Sequence, residues 1–332
     1  MPISKQLDIH GKKVLLAGFW SHQNMGDELI LLGNIKLLQQ QQKQIYVVAH
    51  DPQWIKDFLE QSIDTQDITF LQELPRGIRS TRNYIRSKKY KQIKSFLATD
   101  TVILWWGEIL TEESPHAYYY RLRSIWPALF FKKTLYLMGG IQIPKKRINI
   151  LLCKWIFHHT KTIYSRDKEE IQAIQAFGYD KVEFFMDTSY FAIDNRKQYK
   201  HLSSQKYIVI NINSKGLHYL PDLCTEIIEY AKQGYTSSYI AVCKGPSDDD
   251  ARHFSAIEKM LPTGYKQFLQ KKDRSEDFQW FLKYLWGAEK VISTRLHLFL
   301  ISAYIGLDTQ VYPYQKKIQK MQKVLEELKE EL

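Results

Sequence analysis

Apolar residues come in short continuous runs, and stretches of mixed polarity separate them. Val14-Leu15-Leu16-Ala17, Ile45-Tyr46-Val47-Val48, Val102-Ile103-Leu104 and Leu135-Tyr136-Leu137-Met138 have the pattern of strands buried on both faces of a parallel sheet. Strands are expected near 14–19, 45–48, 67–70, 101–105, 134–138 and 162–164. Helical spacing or charge fills 28–38, 148–158 and 168–177, so this part of the chain reads as repeated βαβ units. A polar stretch over 194–206 interrupts the alternation, which restarts at Tyr207-Ile208-Val209-Ile210-Asn211-Ile212. Further strands are expected near 207–212, 238–243, 290–293 and 309–312, with helices at 217–232, 249–261, 275–286, 295–305 and 316–330. The expected fold class is therefore α/β, with two Rossmann-like domains, residues 1–195 and 206–332, whose largely parallel sheets face a central cleft. The last helix is expected to pack back on the first domain.

Length and composition agree with this reading. The chain has 332 residues, 44% hydrophobic and 25% charged, which suits two globular domains with real cores. The first dozen residues lack the basic start and apolar run of a secretory signal. The longest apolar run, 125–131, falls far short of the roughly 20 residues of a spanning helix. Cys153, Cys224 and Cys243 are odd in number and widely spaced, so neither a disulfide framework nor a zinc site is suggested, and a cytoplasmic setting is expected.

Charge changes the picture in one region. The formal net charge is +11, and residues 76–99 hold eight Lys or Arg and no acid. Such a block can meet nucleic acid, an anionic leaflet or a polyanionic substrate, or it can be a solvated helix face. Tyr118-Tyr119-Tyr120 with Arg121 and Arg123 is a second basic and aromatic cluster, suited to a saccharide or a diphosphate-lipid carrier at a membrane face, or to ordinary packing. Nucleic acid is not the expected partner, because only charge speaks for it.

Candidate chemistry concentrates at Thr294-Arg295-Leu296-His297, between the apolar strand 291–293 and an apolar helix closed by Gly306. A guanidinium and an imidazole at a strand-to-helix junction meet unsatisfied backbone N–H groups and the positive end of a helix, which favour an anion. The competing reading makes Arg295 a cap for a neighbouring carbonyl and His297 a packed core residue. Early in the chain, Asn24 or Asp27 can cap the helix that follows, with Asp27 and Glu28 complementing its dipole. The Asp248-Asp249-Asp250 cluster reads as capping and solvated rather than as a cation site, and no essential metal is expected.

Four segments in order carry a wider resemblance. Asn24-x-Gly26-Asp27-Glu28 before an apolar helix, Tyr164-Ser165-Arg166-Asp167 before another, Asp187-Thr188-Ser189 after a strand, and Ser293-Thr294-Arg295-Leu296-His297 together resemble the polysaccharide pyruvyltransferase family. The resemblance implies a glycosyltransferase B-like fold and transfer of the enolpyruvyl unit of phosphoenolpyruvate onto two hydroxyls of a sugar, with no cofactor beyond that donor. It further implies that Arg166, Arg295 and His297, with the Leu296 backbone, line the phosphoenolpyruvate site, and that Asn24, Gly26 and Asp27 lie across the cleft.

Guanidinium forks suit the carboxylate and phosphate of the donor, and a histidine titrating near neutrality suits the proton transfer to its methylene carbon. Asp27 or Glu28 could hold or deprotonate an acceptor hydroxyl. The acceptor is expected to be a cell-surface saccharide precursor on a nucleotide or polyprenyl-diphosphate carrier, at the inner face of the membrane.

The chain departs from the family at Trp105-Trp106-Gly107-Glu108, where a glycine run is usual. Two indoles cannot form a glycine nest. Trp105 or Trp106 could instead stack on a sugar ring, or both indoles could be core. Gly139-Gly140 is retained and could offer backbone N–H groups, while Thr188 stands where proline is common. A nucleotide-sugar glycosyltransferase of the same fold, or a non-catalytic saccharide-binding relative, remains the alternative.

Overall fold

The computed structural model describes residues 7–73, 85–86, 93–110, 112, 128–193, 206–245, 248–272 and 278–329. Most of the basic block of 76–99, the cluster from Tyr118 to Arg123 and the polar stretch of 195–205 lie outside the described residues. The chain divides into two compact units. Unit 1 is Met1–Ser21, Asn34–Asp57 and Asp64–Thr188, and unit 2 is His22–Gly33, Phe58–Ile63 and Ser189–Leu332.

Unit 1 is built on β1 (Lys13–Gly18), β2 (Gln44–Ala49), β3 (Ile68–Gln72), β4 (Thr101–Leu110), β5 (Thr134–Ile141), β6 (Thr160–Ser165) and β7 (Val182–Phe184). All pairs are parallel, in the order β3-β2-β1-β4-β5-β6-β7. Helices α1 (Met25–Gln40), α2 (Pro52–Glu60), α3 (Ile93–Leu97), α4 (Arg147–His159) and α5 (Lys168–Ala176) occupy the connections. The register explains the apolar runs. Leu15 pairs with Val102 and Ala17 with Leu104, and these with Leu135 and Leu137. One face of the sheet therefore meets Cys153, Ile156, Phe157 and Ile174 in a continuous core. Val14, Leu16, Ile103 and Tyr136 fill the opposite face and are equally buried.

Unit 2 repeats the design with β8 (Tyr207–Asn211), β9 (Thr236–Ile240), β10 (Leu269–Lys272), β11 (Lys290–Ser293) and β12 (Asp308–Val311). These strands are all parallel, in the order β10-β9-β8-β11-β12. Its helices are α6 (Leu220–Lys232), α7 (Phe254–Met260), α8 (Phe278–Trp286), α9 (Leu296–Tyr304) and α10 (Lys316–Lys329). Ile208, Ile210, Tyr239 and Ile292 share one sheet face and pack on Leu223, Ile227 and Ile257. The described residues include no helix long and apolar enough to cross a membrane.

Most expected elements form, and others are added. Helix α2 starts at Pro52 behind Asp51, whose Oδ1 accepts from the Trp54 N–H at 3.1 Å, and it buries Ile55, Phe58 and Leu59. Strands β7 and β10 have only three and four residues, so periodicity alone does not reveal them.

Both sheets reverse their strand order beside the first strand in sequence, between β1 and β4 in unit 1 and between β8 and β11 in unit 2. Open α/β sheets take ligands at such switch points, beyond the carboxyl ends of the strands.

Candidate active site

The two switch points differ in how they are filled. In unit 1, Gly18 ends β1, and a Cβ there would lie 2.1 Å from the Trp20 ring and 2.4 Å from the Trp105 carbonyl oxygen. Trp20 and Trp105 are each 1% exposed. Trp105 is thus a core residue, and indoles occupy the place where a glycine nest would receive a ligand. Past Trp106 the β4–β5 pairing slips twice, opposite Gly139 and Gly140, and Gly139 has φ +116°, a conformation that a side chain would oppose. The Trp106 side chain lies outside what the structure describes.

Arg166 also belongs to unit 1. It follows β6, is buried, and forms an ion pair through Nη1 with Asp187, which is 1% exposed. Asp167 caps α5 by accepting from the N–H groups of Glu169 and Glu170. The Ser165 hydroxyl donates to Glu170 at 2.9 Å, and Asn34 Nδ2 donates to the Thr188 hydroxyl at 3.1 Å. The motif Ser165-Arg166-Asp167 therefore combines a strand end, a fixed cation and a helix cap.

At the unit 2 switch point, β8 and β11 end side by side, with Asn211 paired to Ser293. The Thr294 hydroxyl accepts from the Asn213 N–H at 2.8 Å, and Ser293 Oγ accepts from the Arg295 N–H at 2.8 Å. Arg295 is the N-cap of α9, with extended backbone and no side-chain cap. The side chain reaches Asp250 instead, donating from Nε at 3.1 Å to both carboxylate oxygens and from Nη2 at 2.5 Å to Oδ1.

Asp250 is fully buried and is the centre of a network. Its Oδ2 also accepts from Asn211 Nδ2 and from the N–H groups of Val242 and Cys243, each at 3.1 Å. Its carbonyl oxygen accepts from the Tyr239 hydroxyl at 2.6 Å. Burial, then the Asp250 charge, drives the Tyr239 phenol well above its ordinary range. The network holds the guanidinium plane and the direction of its remaining N–H groups.

The motif at residues 24–28 joins this same unit. The Met25 N–H donates to Val242 O, the Lys244 N–H donates to Gln23 O, and Asn24 bridges Cys243 in antiparallel fashion. Asn24 caps α1: its Oδ1 accepts from the Gly26 N–H at 3.3 Å, and its Nδ2 donates to Asp27 Oδ2 at 2.6 Å. Asp27 and Glu28 are buried, at 9% and 0% exposed. Gln23 holds φ +56°, a strained conformation of the kind that collects at functional loops.

Gly26 is the point of closest approach. A Cβ there would stand 2.0 Å from His297 Nδ1 and 2.5 Å from its Cγ, so only glycine lets α1 pack against the imidazole. The structure thus brings Asn24, Gly26, Asp27, Arg295, Leu296 and His297 into one unit, while Arg166, Gly139 and Gly140 belong to the other.

Sequence reasoning missed Asp250 and treated its cluster as solvated. The available signal was position: Asp250 follows β9 and Arg295 follows β11, and strands of one parallel sheet bring the segments after their carboxyl ends to the same edge. Asp249 does behave as a cap, accepting from the Ala251 N–H at 3.0 Å.

Comparison with known proteins agrees with this architecture. The polysaccharide pyruvyl transferase family model matches residues 24–304, from the α1 cap to the end of α9. The chain belongs to that family. No curated protein matches it. Among solved structures it is similar to UDP-N-acetylglucosamine 2-epimerase from Rickettsia bellii, with a TM-score of 0.54 at 12% identity over 96% of this chain and 88% of that one. It is also similar to the UDP-GlcNAc 2-epimerase from Methanocaldococcus jannaschii, at 0.56, 10%, 95% and 91%. A glycosyltransferase from Rickettsia africae ESF-5 gives 0.54, 10%, 96% and 89%. At such identities the likeness establishes the fold, which is of the glycosyltransferase B type.

Proposed function

We propose that the protein transfers the enolpyruvyl unit of phosphoenolpyruvate to two hydroxyls of a saccharide, closing a pyruvate ketal and releasing inorganic phosphate. The observation that carries this reading is the β11–α9 junction, where Arg295 and His297 flank a helix N-terminus without a side-chain cap. Backbone N–H groups and a guanidinium of fixed orientation suit a donor that carries a carboxylate and a phosphate on adjacent atoms.

His297 delivers a proton to the donor's methylene carbon, and the cation this leaves on the neighbouring carbon accepts the first sugar hydroxyl. Loss of phosphate and attack by the second hydroxyl, each hydroxyl giving up its proton, complete the ketal. Such proton handling is typically worth about 10²- to 10⁴-fold in rate. Asp27 or Glu28 holds or deprotonates an acceptor hydroxyl. In unit 1, Arg166 and the Gly139-Gly140 backbone are assigned to substrates on the family resemblance, and Trp106 on the suitability of an indole face for a sugar ring. The acceptor is a cell-surface glycan precursor on a nucleotide or polyprenyl-diphosphate carrier, and the reaction runs in the cytoplasm without a cofactor.

Phosphoenolpyruvate should raise the melting temperature, and Arg295→Ala and Arg166→Ala should each lose the shift. His297→Ala should keep the shift and release no phosphate. A shift with a nucleotide sugar and none with phosphoenolpyruvate would replace this reading with glycosyl transfer. Donor binding without phosphate release from any saccharide acceptor would make the protein a binding relative.

A further inference from the structure

Helix α4 carries apolar residues on two faces. Cys153, Ile156 and Phe157 sit in the unit 1 core, yet Ile148, Leu151 and Trp155 are exposed at 68%, 69% and 37%. At about 100° per residue, Leu151, Trp155 and Ile148 stand side by side on one arc. Arg147, Lys154 and His158 flank that arc on one edge and His159 on the other, all exposed. Contiguous exposed apolar surface rimmed by charge marks a contact surface.

The placement of charge is a second observation. Lys145, Lys146 and Arg147 crowd the start of α4, where the helix dipole favours anions. The first turn holds no acid, and the Lys146 side chain at the N-cap makes no capping hydrogen bond. Glu112 ties this end instead. Its carboxylate accepts from the N–H groups of Lys145 and Lys146 at 2.9 and 3.1 Å and from Asn149 Nδ2 at 2.7 Å. Those bonds, the Lys145 N–H foremost, hold the carboxyl below its ordinary range. Helix stability therefore does not account for three cations at this position. Between residues 114 and 166 the sequence has ten Lys or Arg and neither Asp nor Glu.

We propose that this face of α4 docks on an anionic membrane surface. The helix lies in the plane of the interface, Leu151, Trp155 and Ile148 enter the headgroup–acyl boundary, and Lys145, Lys146, Arg147 and Lys154 meet lipid phosphates. A second copy of the chain is the poorer occupant, because a two-fold contact would set one cation cluster against another. Nucleic acid would engage the cations and leave three exposed apolar side chains unused.

The test is co-sedimentation of the full chain with vesicles. Wild type should pellet with phosphatidylcholine vesicles containing about one third phosphatidylglycerol, and remain in solution with phosphatidylcholine alone and at high salt. Ile148→Ser with Leu151→Ser, and separately Lys145→Gln with Lys146→Gln and Arg147→Gln, should each weaken partitioning about tenfold or more. These are surface changes, so an unaltered melting temperature verifies folding, and the phosphoenolpyruvate shift should persist whatever its origin. Brominated acyl chains should quench wild-type fluorescence more than that of Trp155→Phe. Equal binding to neutral vesicles, or wild-type binding by the Ile148→Ser, Leu151→Ser variant, would overturn the proposal. A concentration-dependent dimer that this variant abolishes would also overturn it, in favour of self-association.

Discussion

Two residues decide how the unit 2 site is held. Gly26 lies inside α1, where alanine is ordinarily better by about 1 kcal/mol. Its Cβ would, however, sit 2.0 Å from His297 Nδ1, and overpacking typically costs about 1–3 kcal/mol. The clash outweighs the propensity. Gly26→Ala should therefore lower the melting temperature and move His297, reducing phosphate release at least tenfold by a direct turnover assay. A more stable Gly26→Ala variant with full turnover would contradict this packing.

Asp250 makes the opposite case, because it is a charge rather than a missing side chain. Asp250→Asn removes the carboxylate that Arg295 meets through Nε and Nη2, and breaking a buried pair in this way costs about 3–5 kcal/mol. Adding Arg295→Met removes the stranded cation and should recover a good part of that loss. Urea unfolding of the two single variants and the double variant measures the coupling.

At the scale of elements, helix caps and strand ends connect the motifs to the chemistry. Asn24→Ala removes the α1 cap and should lower stability by about 1 kcal/mol in urea unfolding, whereas Asn24→Asp should lose far less. The cap was legible in the sequence because Asn-x-x-Asp before an apolar run is a local signal. The β11–α9 junction was legible for the same reason. The partner of Arg295 was not, because Asp250 is 45 residues away and meets it only through the pairing of β8 with β9 and β11. Nor was the packing of Gly26 on His297, which joins segments at opposite ends of the family match. The replacement of a glycine run by Trp105-Trp106 was visible as a departure. Its physical meaning, a switch point filled by buried Trp20 and Trp105, required the structure.

For the whole molecule, buried phenols and a buried thiol set the alkaline limit. Burial pushes Cys224 from 9.0 up to about 11, and Tyr179 and Tyr312 from 10.0 up to about 12. Tyr164, Tyr207 and Tyr239 are raised beyond that, in each case chiefly by burial. These groups are neutral when protonated, so the unfolded chain releases its protons first as pH rises. Their contribution to stability is complete below about pH 9 and is lost progressively as pH rises above it. The urea midpoint should hold steady from neutrality to about pH 9 and then fall. A midpoint that stayed level to about pH 11 would contradict the burial of these groups.

The alternating βαβ pattern made the two-unit architecture legible, since apolar runs of strand length require sheets covered on both faces. It could not show that His22–Gly33, near the start of the chain, groups with unit 2. That grouping bears on how the molecule is made. During synthesis the segment that seats His297 emerges more than two hundred residues before His297 itself, so the site is completed only after His297 has been made. A fragment beginning at Ser189 would lack the strand-like edge that pairs with Val242 and Lys244. A peptide covering 22–33, supplied in trans, should bind such a fragment and restore protection of those amides from hydrogen exchange.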